Sequence, residues 1–166
     1  MLFRSPGQAG SPDGTAAAAT QIAAFFGTAQ PSHFQAAQDT VIYTGPAEWS
    51  WRRMILHYAK LAAMAGGVDA FIIGSELIGI TRVRSAAGTY PAAAALASLA
   101  SDVKAMLGAG TKLTYAADWT EFGAHSPVNG EVRFPLDPLW ASSAIDAVGI
   151  DAYWPISDWR DGPLHL

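Results

Sequence analysis

Cysteine is absent from the 166 residues, which excludes a disulfide framework, a thiolate metal site and a cysteine nucleophile. Charge is scarce, at 14% of residues against 51% hydrophobic, so the chain can bury a sizeable core rather than remain solvated and disordered. No basic block offsets the formal charge of −4, the densest positive clusters being Arg52-Arg53 and Arg82-Val83-Arg84. Nucleic acid is therefore not an expected partner. Long apolar runs are missing too. Residues 1–7 lack the apolar stretch of a signal peptide, and the longest apolar region, Leu61 to Ile80, is broken by Asp69 and Glu76. The expectation is a soluble chain without its own export signal and without a membrane partner.

Several chemical signatures are lacking as well. His33, His57, His125 and His165 have no metal-ligand spacing and no HExxH occurs, so no metal is expected, and His57, beside an apolar helical stripe, reads as structural. Ser75 is not set in a glycine-flanked nucleophile elbow, which disfavours a serine hydrolase. No glycine-rich dinucleotide fingerprint is present, and no cofactor is expected.

What is there alternates. Glycine and proline make residues 5–14 a loop; Thr15 to Phe26 then reads as an alanine-rich helix with Ile22, Phe25 and Phe26 on one face and Gly27 at its end. Thr40 to Tyr43 is strand-like. A second helix is expected from Pro46, with Met54, Ile55, Tyr58, Leu61, Ala62 and Ala65 as its buried stripe, until Gly66-Gly67 stops it. Val68 to Gly74 is a compact apolar run suited to a strand buried on both faces. The unit recurs as a helix from Tyr90-Pro91 to Leu107 and a strand over 112–117, then as a short helix around Pro138 to Ser142 and a strand over 147–150. This alternation predicts a parallel α/β sheet, with residues 1–166 as one domain and βα units over 15–166. Without a nucleotide fingerprint, a (β/α) TIM-barrel-like fold is favoured over an open doubly wound sheet. A full barrel takes about 250 residues, so an incomplete one is expected.

Each of the last three strands ends in an acid: Glu76, Asp118 and Asp151. In a barrel those ends share one face, where carboxylates cost desolvation energy unless they are paired or serve a ligand. Catalysis is one cause. The alternative is that each acid caps the following helix or pairs with Arg82, Arg84 or Arg133. Glu76 is the least cap-like and sits between an apolar strand and Leu77, an environment expected to raise its pKa as a general acid requires. Asp118, Glu121 or Asp151 would then supply the nearby negative charge. Trp119, Tyr153 and Trp154 lie beside these acids, where rings could stack on the C–H face of a sugar; Trp49 and Trp51, at a helix start, and Trp159 read as structural.

The stretches 48–60 (Glu48-Trp49-Ser50-Trp51-Arg52-Arg53 onward), Gly66 to Leu77, Thr114 to Trp119 and Val148 to Tyr153 together resemble the glycoside-hydrolase TIM-barrel-like domain of gene transfer agent and tailed-phage baseplate, or host-specificity, proteins. The resemblance covers nearly the whole chain. It implies a module of a much longer tail polypeptide, made in the bacterial cytoplasm and carried on the particle, that binds or cuts a cell-envelope glycan during DNA delivery. By similarity to retaining glycosidases the Glu ending the fourth barrel strand is the acid/base, which maps onto Glu76; the acids and rings at the strand ends make Asp118, Trp119, Glu121, Asp151, Tyr153 and Trp154 the expected substrate contacts. That clan has Asn before its acid/base, where this chain has Ser75, and its nucleophile ends the seventh strand, beyond the strands four to six expected here. Other segments of the tail polypeptide or other tail proteins are expected partners, as is self-association through open sheet edges.

Overall fold

The computed structural model describes Arg4, residues 6–127 and residues 130–153. Helix α1, Ala16–Phe26, starts after Thr15 and ends at Gly27, whose φ of 75° is the left-handed turn that glycine adopts without strain. A Cβ at Gly27 would lie 2.3 Å from the Ser50 Cβ, so glycine is also needed for close approach. Strands β1, Phe34–Ala37, and β2, Thr40–Tyr43, form an antiparallel hairpin. Only its second strand is visible in the residue pattern, and the hairpin stands apart from the βα units expected throughout 15–166.

Helix α2, Trp51–Met64, begins five residues later than Pro46 would place it. Ser50 is the reason. Its side chain accepts the Arg53 N–H at 3.2 Å and caps the helix, while Glu48 is held back by the Thr28 and Ala29 amides at 2.8 and 2.9 Å. The buried face also differs from the expected stripe, consisting of Arg52, Ile55, Leu56 and Ala59 and leaving Met54 and Tyr58 exposed. Arg52 can go inside because its guanidinium donates to the Ala29 carbonyl at 2.9 Å and pairs with Asp102.

Strand β3, Ala70–Ser75, is followed by a one-turn helix α3, Ile78–Thr81, and then by α4, Pro91–Leu107, closed by Gly108. Strand β4, Lys112–Asp118, leads through a long loop to the short α5, Asp137–Trp140, and to β5, Gly149–Asp151. These three strands pair in parallel in the order β3-β4-β5. Alternation sends Leu113, Tyr115 and Ala117 to one face, where with Ile73 they are fully buried among Ile22, Leu56, Leu96 and Leu99 of the helices. The other face is uncovered: Ile72, opposite Thr114 in register, is 55% exposed. The expectation of a β3 buried on both faces fails for that reason, since helices cover one side and, among the described residues, the sheet does not close on the other. The described chain is thus mixed α/β, with one open parallel sheet and a separate hairpin. Among the described residues no helix is long and apolar enough to cross a membrane.

Candidate functional site at the strand ends

Parallel pairing brings the three acids to one edge. Asp118 and Asp151 are direct register partners on β4 and β5, and the Glu76 amide donates to the Ala116 carbonyl at 2.9 Å, carrying the β3 pairing one residue past the strand. Ser75 pairs with Ala116, and Ala116 with Gly149, so their side-chain positions share the uncovered face with those of Asp118 and Asp151. Across the small Ala116, Ser75 Oγ donates to Asp151 Oδ2 at 2.7 Å. Ser75 therefore orients a carboxylate two strands away.

Glu76 has φ 51°, left-handed and unfavourable for a residue bearing a Cβ. Its side chain is exposed and accepts no hydrogen bond from the described residues. The apolar enclosure expected around it is missing, because Leu77 turns back toward the core. The strained turn is held from behind. Leu77 N–H donates to the Tyr115 hydroxyl at 2.7 Å, that hydroxyl donates to Glu121 Oε1 at 2.8 Å, and Thr81 Oγ1 donates to the same oxygen at 2.5 Å. The Asp118 amide donates to Glu121 Oε2 at 3.1 Å.

Glu121 is consequently not a rim group. It is 2% exposed, so the side chain expected to contact substrate is instead buried against Thr81 and Tyr115. Burial pushes its carboxyl above the ordinary range against the opposing pull of Thr81 and Tyr115, and burial together with the Glu121 charge raises the Tyr115 phenol. The residue pattern holds one clue to this network. Tyr115 has the inward parity of β4, and a buried phenol needs a partner.

Asp118 closes a local turn and caps no helix. Its Oδ1 accepts the Thr120 amide at 2.7 Å and the Thr120 hydroxyl, and these bonds, with the nearby Arg82 charge, hold its carboxyl below the usual range. Arg82 donates to the Thr120 carbonyl and so braces the same turn. The other two arginines point elsewhere: Arg84 pairs with Asp13 at 2.5 Å and Arg133 with Glu131 at 3.0 Å. Beside the acids, Trp119 is partly exposed and Tyr153 strongly so, and the Trp119 amide donates to the Asp151 carbonyl at 3.1 Å. Trp154 and Trp159 lie outside the described residues. Among the described residues no group of three or more His, Asp or Glu side chains could hold a metal ion.

A second concavity has no forerunner in the residue pattern. It lies between α1, β2 and α2, has a volume of about 830 Å³, and is lined by Phe25, Tyr43, Trp49, Trp51, Met54 and Tyr58 among others. Trp51 ties this concavity to β3: its indole N–H donates to the Ile73 carbonyl at 3.2 Å, and a Cβ at Gly74 would lie 3.1 Å from its ring. Trp51 is thus structural, as expected, whereas Trp49 is 94% exposed and packs into no core.

An uncovered parallel sheet with acids along its carboxyl edge defines a TIM-barrel-like α/β module. The chain belongs to the gene transfer agent (GTA) TIM-barrel-like domain family, whose model matches residues 49–166. Among curated proteins no similar sequence is found.

Proposed function

We propose that this chain is a glycoside-hydrolase-like module of a gene transfer agent or phage tail, engaging a cell-envelope glycan at the rim formed by Glu76, Asp118 and Asp151. The observation that carries the reading is the placement of these carboxylates at the ends of three consecutive parallel strands, which the reading takes as barrel strands four to six. Glu76 is the acid. Its carboxyl has no competing partner among the described residues, and its αL backbone is a strain that active sites retain. In the protonated form it would give its proton to the departing glycosidic oxygen, while a carboxylate from a further strand acts as nucleophile. That strand would come from another segment of the tail polypeptide, from another tail protein, or from a second copy meeting the edges of β3 or β5 that no strand among the described residues pairs with. The test is release of reducing sugar from purified envelope glycan by the particle-borne protein. Glu76→Gln is expected to lower the rate at least a hundredfold; unchanged turnover would remove Glu76 from the chemistry.

A non-catalytic glycan-binding module is the second reading. It is favoured by the hydrogen bonds that Asp118 and Asp151 already accept from Thr120 and Ser75, and by the exposed rings of Trp119 and Tyr153. Saccharide binding without turnover, weakened by Trp119→Ala, would select it.

A further inference from the structure

We infer that Arg82, with Tyr90 and His125 behind it, forms a subsite beside the rim for an anionic group, carboxylate or phosphate, carried by the glycan. This rests on the glycan reading above and adds the class of glycan to it. Arg82 carries the argument. Three arginines gather where the turn after α3 meets the loop after β4, and two of them are answered, Arg84 by Asp13 and Arg133 by Glu131. Arg82 is half-buried yet makes no ion pair among the described residues, and its one hydrogen bond there goes to the Thr120 carbonyl. The nearby acids are committed elsewhere, so a guanidinium built to hold two acceptors side by side is left with one.

The surroundings repeat the shortage. Among the described residues the buried side-chain atoms without a hydrogen-bond partner are Arg82 Nε, the Tyr90 hydroxyl and His125 Nδ1. They share one neighbourhood, since the Tyr90 and His125 rings lie 6.2 Å apart and the Arg82 charge is felt at His125. A guanidinium N–H and a phenol both donate, so what the cluster lacks is an acceptor. The field has the matching sign: burial holds the His125 ring below its ordinary range, and Arg82 and Arg84 push it further down with Asp13 opposing them. An acceptor bearing negative charge meets both conditions. Arg82 also adjoins the rim. The residue whose carbonyl it holds, Thr120, donates its amide and hydroxyl to Asp118, and the Arg82 charge reaches the Asp118 carboxyl. A sugar bound against Asp118 is thus next to Arg82. Because the rim carboxylates repel an anion, a preference for an acidic glycan over a neutral one has to come from Arg82 and its neighbours.

The test is calorimetric titration of the full chain with oligogalacturonate, which bears carboxylates, with phosphomannan, which bears phosphates, and with neutral N-acetylchitohexaose. At least one acidic ligand should bind about tenfold or more tighter than the neutral one, and the tighter of the two names the source of the charge. Arg82→Gln should remove that preference, whereas Arg82→Lys, which keeps the charge, should retain part of it, with circular dichroism as the folding control. In the parent, the NMR titration of the His125 ring should move up when the acidic ligand is added, because the bound charge offsets the guanidinium field; this measurement needs no variant. Equal affinity of the parent for acidic and neutral glycan, a His125 titration that stays in place, or an Arg82→Gln loss shared equally by all three ligands would each overturn the subsite and leave the glycan reading standing. An Arg82-dependent preference alongside unchanged turnover in Glu76→Gln would do the reverse, sparing the subsite and removing the acid. No saccharide binding at all would sink both, and a His125 response to inorganic phosphate in that case would mark an adventitious ion only.

Discussion

Tyr115 donates its hydroxyl to Glu121 at 2.8 Å with both side chains buried, and the same oxygen accepts the Leu77 amide next to Glu76. The rim acid is therefore held by a network on the opposite face of its sheet. Tyr115→Phe would leave the Leu77 amide and one Glu121 oxygen short of a partner. The expected loss of stability is about 1–3 kcal/mol, read by urea denaturation, accompanied by faster hydrogen exchange at Leu77.

Glu121 sets a stability slope of definite sign. Its folded carboxyl titrates above the ordinary value of 4.5. As pH rises through 4.5 the unfolded chain releases this proton first, so the stability that Glu121 contributes is complete below 4.5 and is lost as pH climbs through the raised folded value. Glu121→Gln lacks that titration. Its stability relative to the parent should therefore increase between about pH 4 and 7, and a constant difference across that range would contradict the assignment.

Asp146 works in the opposite direction. It accepts from Lys104 Nζ at 2.7 Å and from the Leu113 amide at 2.8 Å, and the lysine and amide bonds bring its carboxyl down to about 2. Its contribution is present above the ordinary 3.8 and disappears as pH falls toward 2. Asp146→Asn should be less stable than the parent at neutral pH and should lose less stability on acidification, as followed by thermal melts between about pH 2 and 6.

The strain at Glu76 has a measurable counterpart. A non-glycine residue at φ 51° costs on the order of 1 kcal/mol, which glycine avoids. Glu76→Gly should raise the denaturation midpoint while abolishing whatever the carboxylate does. A residue that destabilises its own turn and is nonetheless a glutamate fits a position held for function. A lower midpoint would mean that the side chain stabilises the turn instead.

Gly149 is a packing requirement. A Cβ there would lie 2.5 Å from the Tyr115 carbonyl oxygen, whereas Gly110 has open space around it. Gly149→Ala should cost about 1–3 kcal/mol by forcing β5 away from β4, and Gly110→Ala should be nearly neutral. Paired thermal melts would check both.

The strand ends are legible in the sequence because each acid follows an apolar run that only a buried strand explains, and parallel pairing then puts all three on one edge. Other features depend on partners distant in the chain. The phase of α2 is hidden, since Arg52 goes inside only because Asp102 and the Ala29 carbonyl meet it there. Glu121 reads as a surface acid because Thr81 and Tyr115, which surround it, are 40 and 6 residues away. The aromatic cavity escapes for the same reason: its rings belong to three elements, and nothing in the order of residues says that α1, β2 and α2 converge.

The bond from Ser75 to Asp151 passes over Ala116 and ties the two outer strands to each other rather than to the one between them. A bulkier residue at 116 would prise this bridge open without replacing either of its two partners. The lip of the sheet is thereby braced as a single arc, and a ligand pulling on one end would be felt at the other.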